Sequence, residues 1–328
     1  MRASCFVNVR ISLLAIDILT HCDAEPVGCI LPRRFQKMYS KPVYFRPASC
    51  KNHNSKTQAV DGTMENLIEV ENLHYSYGPH QVLKGINLTI PRGKIVAIMG
   101  TSGCGKSTLL RHFGGQLRPL QGSVKFMGQV VHQLSTDELY KMRLKMGMMF
   151  QVSGLFTDMS VYDNLAFPLR EHTDLPEEII HDLVLMKLHA VGLRNARNLM
   201  PSELSGGMER RVALARAIAT DPPLVIYDEP FAGLDPISLN TIANLIRTLN
   251  DALGTTSIVV TYDLMSSLKV VDYLYFIHNG VVVAQGTVDE MLNSQDPSVH
   301  QFLHAEPDGP ISFQFPSKPY TEDLNINA

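Results

Sequence analysis

No stretch of this 328-residue sequence approaches the roughly 20 consecutive apolar residues that a membrane-spanning helix needs. The longest candidate, Ile11 to Thr20, is short and carries Asp17, so any work at a membrane depends on another subunit. Cysteine is scarce: of five, Cys5, Cys22, Cys29 and Cys50 all precede residue 64. They show neither CxxC spacing nor a partnering histidine pattern, which argues against a zinc site or a disulfide framework. The twelve histidines form no HExxH-like constellation and read as surface or core side chains. A basic face is missing as well. Residues 1–63 hold nine Lys/Arg against four Asp/Glu, but residues 64–328 hold 20 against 28. An acidic body argues against nucleic acid as a partner, since that binding rests on positive charge. No internal repeat is visible.

What is present is enough apolar sequence for one good-sized core, with or without a smaller lobe. The chain divides at Met64. Residues 21–63 mix Pro, Cys, Asn, Lys and Ser without periodicity, whereas an alternating strand pattern starts at once after Met64. Three readings stay open for residues 1–63: a mis-assigned start codon with Met64 the initiator, a disordered extension, or a signal peptide that Asp17 interrupts. On the first two, a chain beginning at Met64 folds and binds its ligand like the full chain. The body spans residues 64–304, and residues 305–328 form a C-terminal extension in which Ile311, Phe313 and Phe315 alternate with polar residues as an added strand would.

Along the body, Leu67–Tyr75 and Gln81–Ile90 read as an antiparallel lobe and Lys94–Met99 as a buried strand. A helix is expected from Lys106 and a strand over Met146–Gln151. A mainly helical subdomain follows over about residues 158–219, punctuated by Pro168, Pro176 and Pro201. Leu224–Tyr227 and Ser257–Thr261 are β-branched or aliphatic runs of the kind buried in parallel sheets. Helices are expected at Ile237–Leu253 and Asp263–Val270. Tyr273–His278 and Val281–Ala284 form a hairpin around Asn279-Gly280. The pattern predicts an α/β fold with a parallel core sheet, an antiparallel N-terminal lobe and an inserted helical subdomain. Met142, Met146, Met148 and Met149 read as core filling rather than a partner surface.

The chemistry is concentrated in short motifs. Gly100, Thr101, Ser102, Gly103, Cys104, Gly105, Lys106, Ser107 and Thr108 fit GxxxxGK[ST] between a strand and a helix. In such a loop the backbone N–H groups curl around the β-phosphate of ATP, Lys106 neutralises β/γ oxygens, and the Ser107 hydroxyl is offered to Mg²⁺. The helix N-terminus adds a favourable dipole. Cys104 lies in this loop near the helix N-terminus, a setting expected to lower its pKa and favour labelling that MgATP blocks. Further on, Ser205, Gly206 and Gly207 follow Leu204 at the start of another predicted helix that carries Arg210, Arg211 and Arg216. Asp228 and Glu229 end an apolar strand, a carboxylate pair that by itself could also be a plain strand-end turn.

Taken together, these motifs resemble ATP-binding-cassette (ABC) ATPases over about residues 66–295. The resemblance implies a P-loop NTPase fold in a homodimer, with Ser205, Gly206 and Gly207 binding the γ-phosphate of ATP held by the opposite subunit. It also implies that Asp228 holds Mg²⁺ through water and that Glu229 polarises the attacking water. Tyr77 would stack on adenine, Gln151 would sense Mg²⁺ and link the site to a membrane subunit, and Asp235 would lie in a loop crossing to the partner. Phe150–Asp158, Asn164–Leu169, Leu204–Arg211 and Asp308–Phe315 are similar to the ATPase subunits of Mla phospholipid (toluene-tolerance) transporters. That narrower resemblance implies a permease, a periplasmic MCE lipid-binding protein, a small STAS-domain partner, and a place on the cytoplasmic face of the inner membrane. It also implies that the C-terminal extension reaches across to the partner subunit. The sequence departs from the family at Tyr262, where the resemblance implies a histidine contacting the γ-phosphate. That puts turnover in question and leaves ATP binding intact, so a nucleotide-gated regulatory module stands beside the transport enzyme as an alternative. A non-transport ABC protein is a third reading, though one cassette without heptads fits it poorly.

Overall fold

The computed structural model describes residues 65–262 and 267–311. The expectations for residues 1–63, for the first half of the Asp263–Val270 helix, and for Phe313 and Phe315 lie outside the described residues. The chain begins with β1 (Asn66–Tyr77) and β2 (His80–Pro91), then β3 (Ile95–Gly100) and helix α1 (Lys106–Phe113). Next come β4 (Gln121–Phe126), β5 (Gln129–Val130), α2 (Thr136–Arg143) and β6 (Met146–Met149). Three helices, α3 (Val161–His172), α4 (Glu177–Ala190) and α5 (Gly206–Ala217), form the inserted subdomain. The remainder is β7 (Leu224–Asp228), α6 (Pro236–Leu253), β8 (Thr256–Val260), β9 (Tyr273–His278), β10 (Val281–Gly286), α7 (Val288–Leu292) and α8 (Pro297–His304).

The strands build two sheets. The smaller has the order β2-β1-β4-β5 and is antiparallel throughout; the larger has the order β10-β9-β3-β8-β7-β6. In the larger, β9, β3, β8, β7 and β6 run parallel and only the edge strand β10 is antiparallel. Every residue of β3 is buried, because the sheet is covered on both faces, and this is why these strands read as unbroken apolar runs. Successive side chains of a strand point to opposite faces. Accordingly Ile95, Ala97 and Met99 join the core shared with the helical subdomain, while Val96 and Ile98 join the core beneath the antiparallel sheet and α1. Two further links tie the sheets together: Lys84 N–H donates to Gly280 O at 2.8 Å, and the Tyr275 hydroxyl to Thr89 O at 2.7 Å.

Most expected elements form within a residue or two. Asn279 and Gly280 both take positive φ (49° and 81°), the conformation of a two-residue hairpin turn. Met142 and Met149 are buried, one in each core, and Met146 and Met148 pack against the core that holds Met142, so the methionines fill space. Pro168 requires correction. It does not punctuate the subdomain but lies inside α3, where its ring forfeits one intrahelical bond. The helix runs on because its apolar side packs into the core through Leu165, Ala166 and Leu169. Pro176 does cap α4, and Pro201 starts a single 3₁₀ turn. No helix among the described residues is long and apolar enough to cross a membrane.

Candidate active site

Strand β3 ends at Gly100, and Gly105 caps the N-terminus of α1, so the segment between them forms a loop over the helix end. Its backbone at Gly103 takes φ 74°, and a Cβ there would point into open space, leaving the loop's outer side free for a ligand. Thr101 is tied to the hairpin strand β9 through His278 Nδ1 at 3.2 Å. Lys106 is only 5% exposed. Its Nζ donates to Gly100 O at 2.8 Å and Thr101 O at 3.0 Å, and lies 3.9 Å from the centre of the Tyr262 ring. Ser107, on the first turn of α1, is exposed and Thr108 is buried beneath it.

Two strands away, β7 delivers Asp228 and Glu229 to the same end of the sheet. Burial pushes the Asp228 carboxyl up, with Lys106 pulling the other way. Glu229 is 6% exposed and takes a left-handed φ of 51°, an uncommon backbone state for a non-glycine residue. Its N–H is held by Val260 O at 2.8 Å, and its Oε2 accepts from Tyr262 N–H at 3.3 Å. Oε1 is buried with no hydrogen-bond partner among the described residues. Burial raises this carboxyl to about 7, against the downward pull of the Tyr262 N–H and Lys106. A buried carboxyl raised in this way, with one oxygen unpartnered among the described residues, has the character of a candidate general base.

The structure thus gathers the phosphate loop, Asp228, Glu229 and Tyr262 around Lys106. Tyr77 stands on the smaller sheet, 42% exposed, with its hydroxyl accepting from Arg111 of α1 at 3.3 Å. Gln151 is exposed just past β6. The segment around it is fastened to α5, with Arg210 Nη1 donating to Phe150 O at 3.3 Å and Ser153 Oγ to Glu209 Oε1 at 2.6 Å. Arg216 adds a bond to Ser153 O at 3.4 Å. Ser205, Gly206 and Gly207 are placed elsewhere, at the start of α5, where Gly207 faces the Ser238 side chain of α6. Asp235 caps that same helix, its Oδ1 accepting from Ile237 and Ser238 N–H at 3.0 Å each. Ser205 likewise caps α5, accepting from Met208 N–H at 3.3 Å, which leaves its own hydroxyl proton to donate. Both capping residues are exposed. Arg111, Ser153, Glu209 and His278 were not singled out by the sequence, since each acts through a partner at least 34 residues away.

The residues fit MgATP. The open outer side of the loop at Gly103 and the Lys106 ammonium, with two of its three protons on loop carbonyls, leave room and a donor for an incoming phosphate chain. A hydroxyl, an amide and one carboxylate (Ser107, Gln151 and Asp228) offer hard oxygen atoms of the kind Mg²⁺ prefers when phosphates complete its shell.

Cys104 overturns one expectation. Its thiol is buried, and burial pushes its pKa up despite Lys106 Nζ at 3.9 Å, so the helix end does not make it reactive. At neutral pH, maleimide modification of Cys104 is therefore expected to run about tenfold slower than that of a free thiol, and slower again with MgATP. Peptide mapping after timed labelling measures this, and fast labelling indifferent to MgATP would contradict the pocket.

Comparison with known proteins supports the same chemistry. The family described as "ABC transporter" matches residues 83–232. An intermembrane phospholipid transport system ATP-binding protein of Haemophilus influenzae, MlaF, is 55% identical over 260 residues, covering 79% of this chain and 98% of that protein. Among solved structures, cbiO1 of Clostridium perfringens, part of the ABC transporter complex cbiONQ, aligns with TM-score 0.66 and 32% identity over 74% of this chain and 95% of its own. A dimeric ATP-binding cassette in a post-hydrolysis state, bound to ADP and Pi, aligns with TM-score 0.62 and 32% identity, covering 67% and 98%.

Proposed function

Since the chain belongs to the ABC transporter family of ATP-binding subunits, we propose that it hydrolyses ATP to drive phospholipid movement between the inner and outer membranes. The observation that carries the catalytic half is the buried Glu229 carboxylate beside Lys106 and the phosphate loop. The transport half rests on the 55% identity to a phospholipid-transport subunit along nearly its whole length.

In this reading the amides of Gly103–Ser107 and the Lys106 ammonium hold the β- and γ-phosphates, and Tyr77 packs on the adenine. Ser107, Gln151 and, through water, Asp228 would hold Mg²⁺, which would neutralise charge on the phosphate oxygens. Glu229 Oε1 accepts a proton from water as the water oxygen bonds to the γ-phosphorus and the bond to the bridging oxygen of ADP breaks. Ser205–Gly207 and Asp235 serve the partner's nucleotide. Gln151, fastened through its neighbours to α5, reports the state of the site to a membrane permease. A periplasmic MCE protein and a small STAS-domain protein complete the assembly, and the chain lies on the cytoplasmic face of the inner membrane, maintaining outer-membrane lipid asymmetry. Affinity purification from detergent-solubilised membranes, with identification of the co-purifying membrane protein and lipid, tests this. Recovery of a permease that carries no phospholipid would overturn the cargo.

The Tyr262 ring lying over Lys106 favours one second reading, a nucleotide-gated module with little turnover; a steady-state ATPase assay separates the two.

The C-terminal extension is read as a contact between the two copies. Its first residues are pinned by Gln301, which accepts from Ile311 N–H at 2.7 Å and donates to Ile311 O at 3.1 Å. Truncation after His304 is expected to weaken self-association by about tenfold, ~1.4 kcal/mol. Sedimentation equilibrium measures it, and an unchanged dimer constant rules the contact out.

A further inference from the structure

Helix α1 begins with Lys106 at the phosphate loop and ends near the antiparallel sheet that carries Tyr77. Its last residues face that sheet with two different contacts. Arg111 donates from Nη1 to the Tyr77 hydroxyl at 3.3 Å. His112, only 1% exposed, meets Tyr75 edge-on with ring centres 4.8 Å apart, and Tyr75 in turn meets Tyr77 at 5.0 Å with the rings at 82°. His112 is itself oriented by its Nδ1, which donates to Thr108 O at 2.8 Å one turn back on the same helix. The other ring nitrogen, Nε2, is buried without a hydrogen-bond partner among the described residues. A buried polar atom left unmatched costs free energy, so hydrogen bonding alone does not account for the ring's place. What it supplies is a flat edge for Tyr75.

We propose that Arg111 and His112 are positioning residues for the nucleotide base, fixing the Tyr77 ring from its hydroxyl end and, through Tyr75, from its side. The proposal rests on the reading of Tyr77 as the surface on which adenine packs. A perpendicular contact from Tyr75 leaves at least one face of Tyr77 uncovered, as its exposure shows, so the ring is held without being consumed. An exposed tyrosine on a strand end otherwise samples several rotamers, and a base that stacks on it bears the entropy of stopping them. Here that ordering is done beforehand, by the helix that also carries Lys106. An eight-residue helix is about 12 Å long, so one rigid element sets both where the phosphates bind and where the base rests.

The test compares ligands with and without a base on the full chain. Calorimetry measures Mg²⁺-dependent binding of ATP and of inorganic tripolyphosphate to the wild type and to Arg111→Gln, Arg111→Lys, Tyr77→Phe, His112→Leu and the double variant Arg111→Gln/Tyr77→Phe. Arg111→Gln is expected to weaken ATP about fivefold and leave tripolyphosphate unchanged. Tyr77→Phe should show the same loss, the double variant no more than either single one, and Arg111→Lys most of the wild-type affinity. His112→Leu should weaken ATP selectively too, with its melting temperature confirming that it folds. Parallel losses for ATP and tripolyphosphate on Arg111→Gln would overturn the proposal by showing a general charge effect, as would full additivity in the double variant. If the wild type binds ATP no more tightly than tripolyphosphate, Tyr77 does not pack on a base, and that reading falls together with the one built on it.

Discussion

Replacing Glu229 with Gln is expected to lower ATP turnover by about a thousandfold while leaving ATP affinity within a few-fold of wild type. The amide is the same shape and still accepts from Tyr262 N–H, so the local fold is kept. It cannot take a proton, and a positioned general base contributes typically 10²–10⁴ in rate. The phosphates are held by Lys106 and the loop amides, which the substitution does not touch. The wild type adds a pH signature. Burial raises Glu229 to about 7, and only the ionised form acts as a base, so kcat/KM should rise with pH through about 7 and level off above it. The residual rate of Glu229→Gln should lack that rise. Single-turnover hydrolysis across pH 5.5–8.5, alongside ATP binding, measures both. A loss of less than tenfold would move the role of base to another group.

Tyr262→His is expected to raise turnover by about tenfold at saturating MgATP. The Tyr262 ring is 47% exposed and covers Lys106, a cation–π contact that holds the ammonium against the loop carbonyls. An incoming γ-phosphate has to draw Lys106 away from it. A histidine removes this competitor. It also carries positive charge when protonated, toward the anion that develops on the transferring phosphoryl group. A charge-assisted hydrogen bond is roughly twice as strong as a neutral one, and about 1.4 kcal/mol of added transition-state stabilisation corresponds to a factor of ten. The contact between residue 262 and Glu229 is made by the backbone N–H, so it survives the exchange. Glu229→Gln should silence the improved variant as fully as it silences the wild type. Steady-state assays of the four proteins decide the matter, and equal turnover for wild type and Tyr262→His would show that the tyrosine already does the histidine's work.

How much of this was legible in the sequence depended on whether the cause was local. The strands β3, β7 and β8 were read because they are buried on both faces and so write themselves as apolar runs, and β9 because the Asn279-Gly280 turn marks a hairpin. The phosphate loop, Ser205–Gly207 and Asp228-Glu229 were read because each is one short segment whose chemistry needs its residues adjacent. By contrast β4, with the sequence QGSVKF, passed unread since only Val124 and Phe126 are fully buried. Helix α2 did carry a signal, the capping box of Ser135 and Glu138, which sits among too few apolar residues to stand out. The ties of Arg111 to Tyr77, Glu209 to Ser153 and Thr101 to His278 had no local trace, for they join residues 34, 56 and 177 positions apart. Cys104 shows the opposite error. Its neighbourhood in sequence suggested an activated thiol, and only the packing of the loop revealed that desolvation outweighs the helix end.

The alternation along β3 bears on how the molecule comes apart. Val96 and Ala97 are consecutive residues anchored in different cores, so the strand is a party wall: neither compartment can melt without stripping one side of it. Heat should therefore dissolve both compartments in a single calorimetric transition rather than two. Because that wall ends in the phosphate loop, a bound nucleotide should raise the whole transition by mass action, RT ln(1 + [L]/Kd), instead of stiffening one half. Ligand occupancy and global melting are then one equilibrium, and cellular ATP would act on this chain as a folding ligand as well as a fuel.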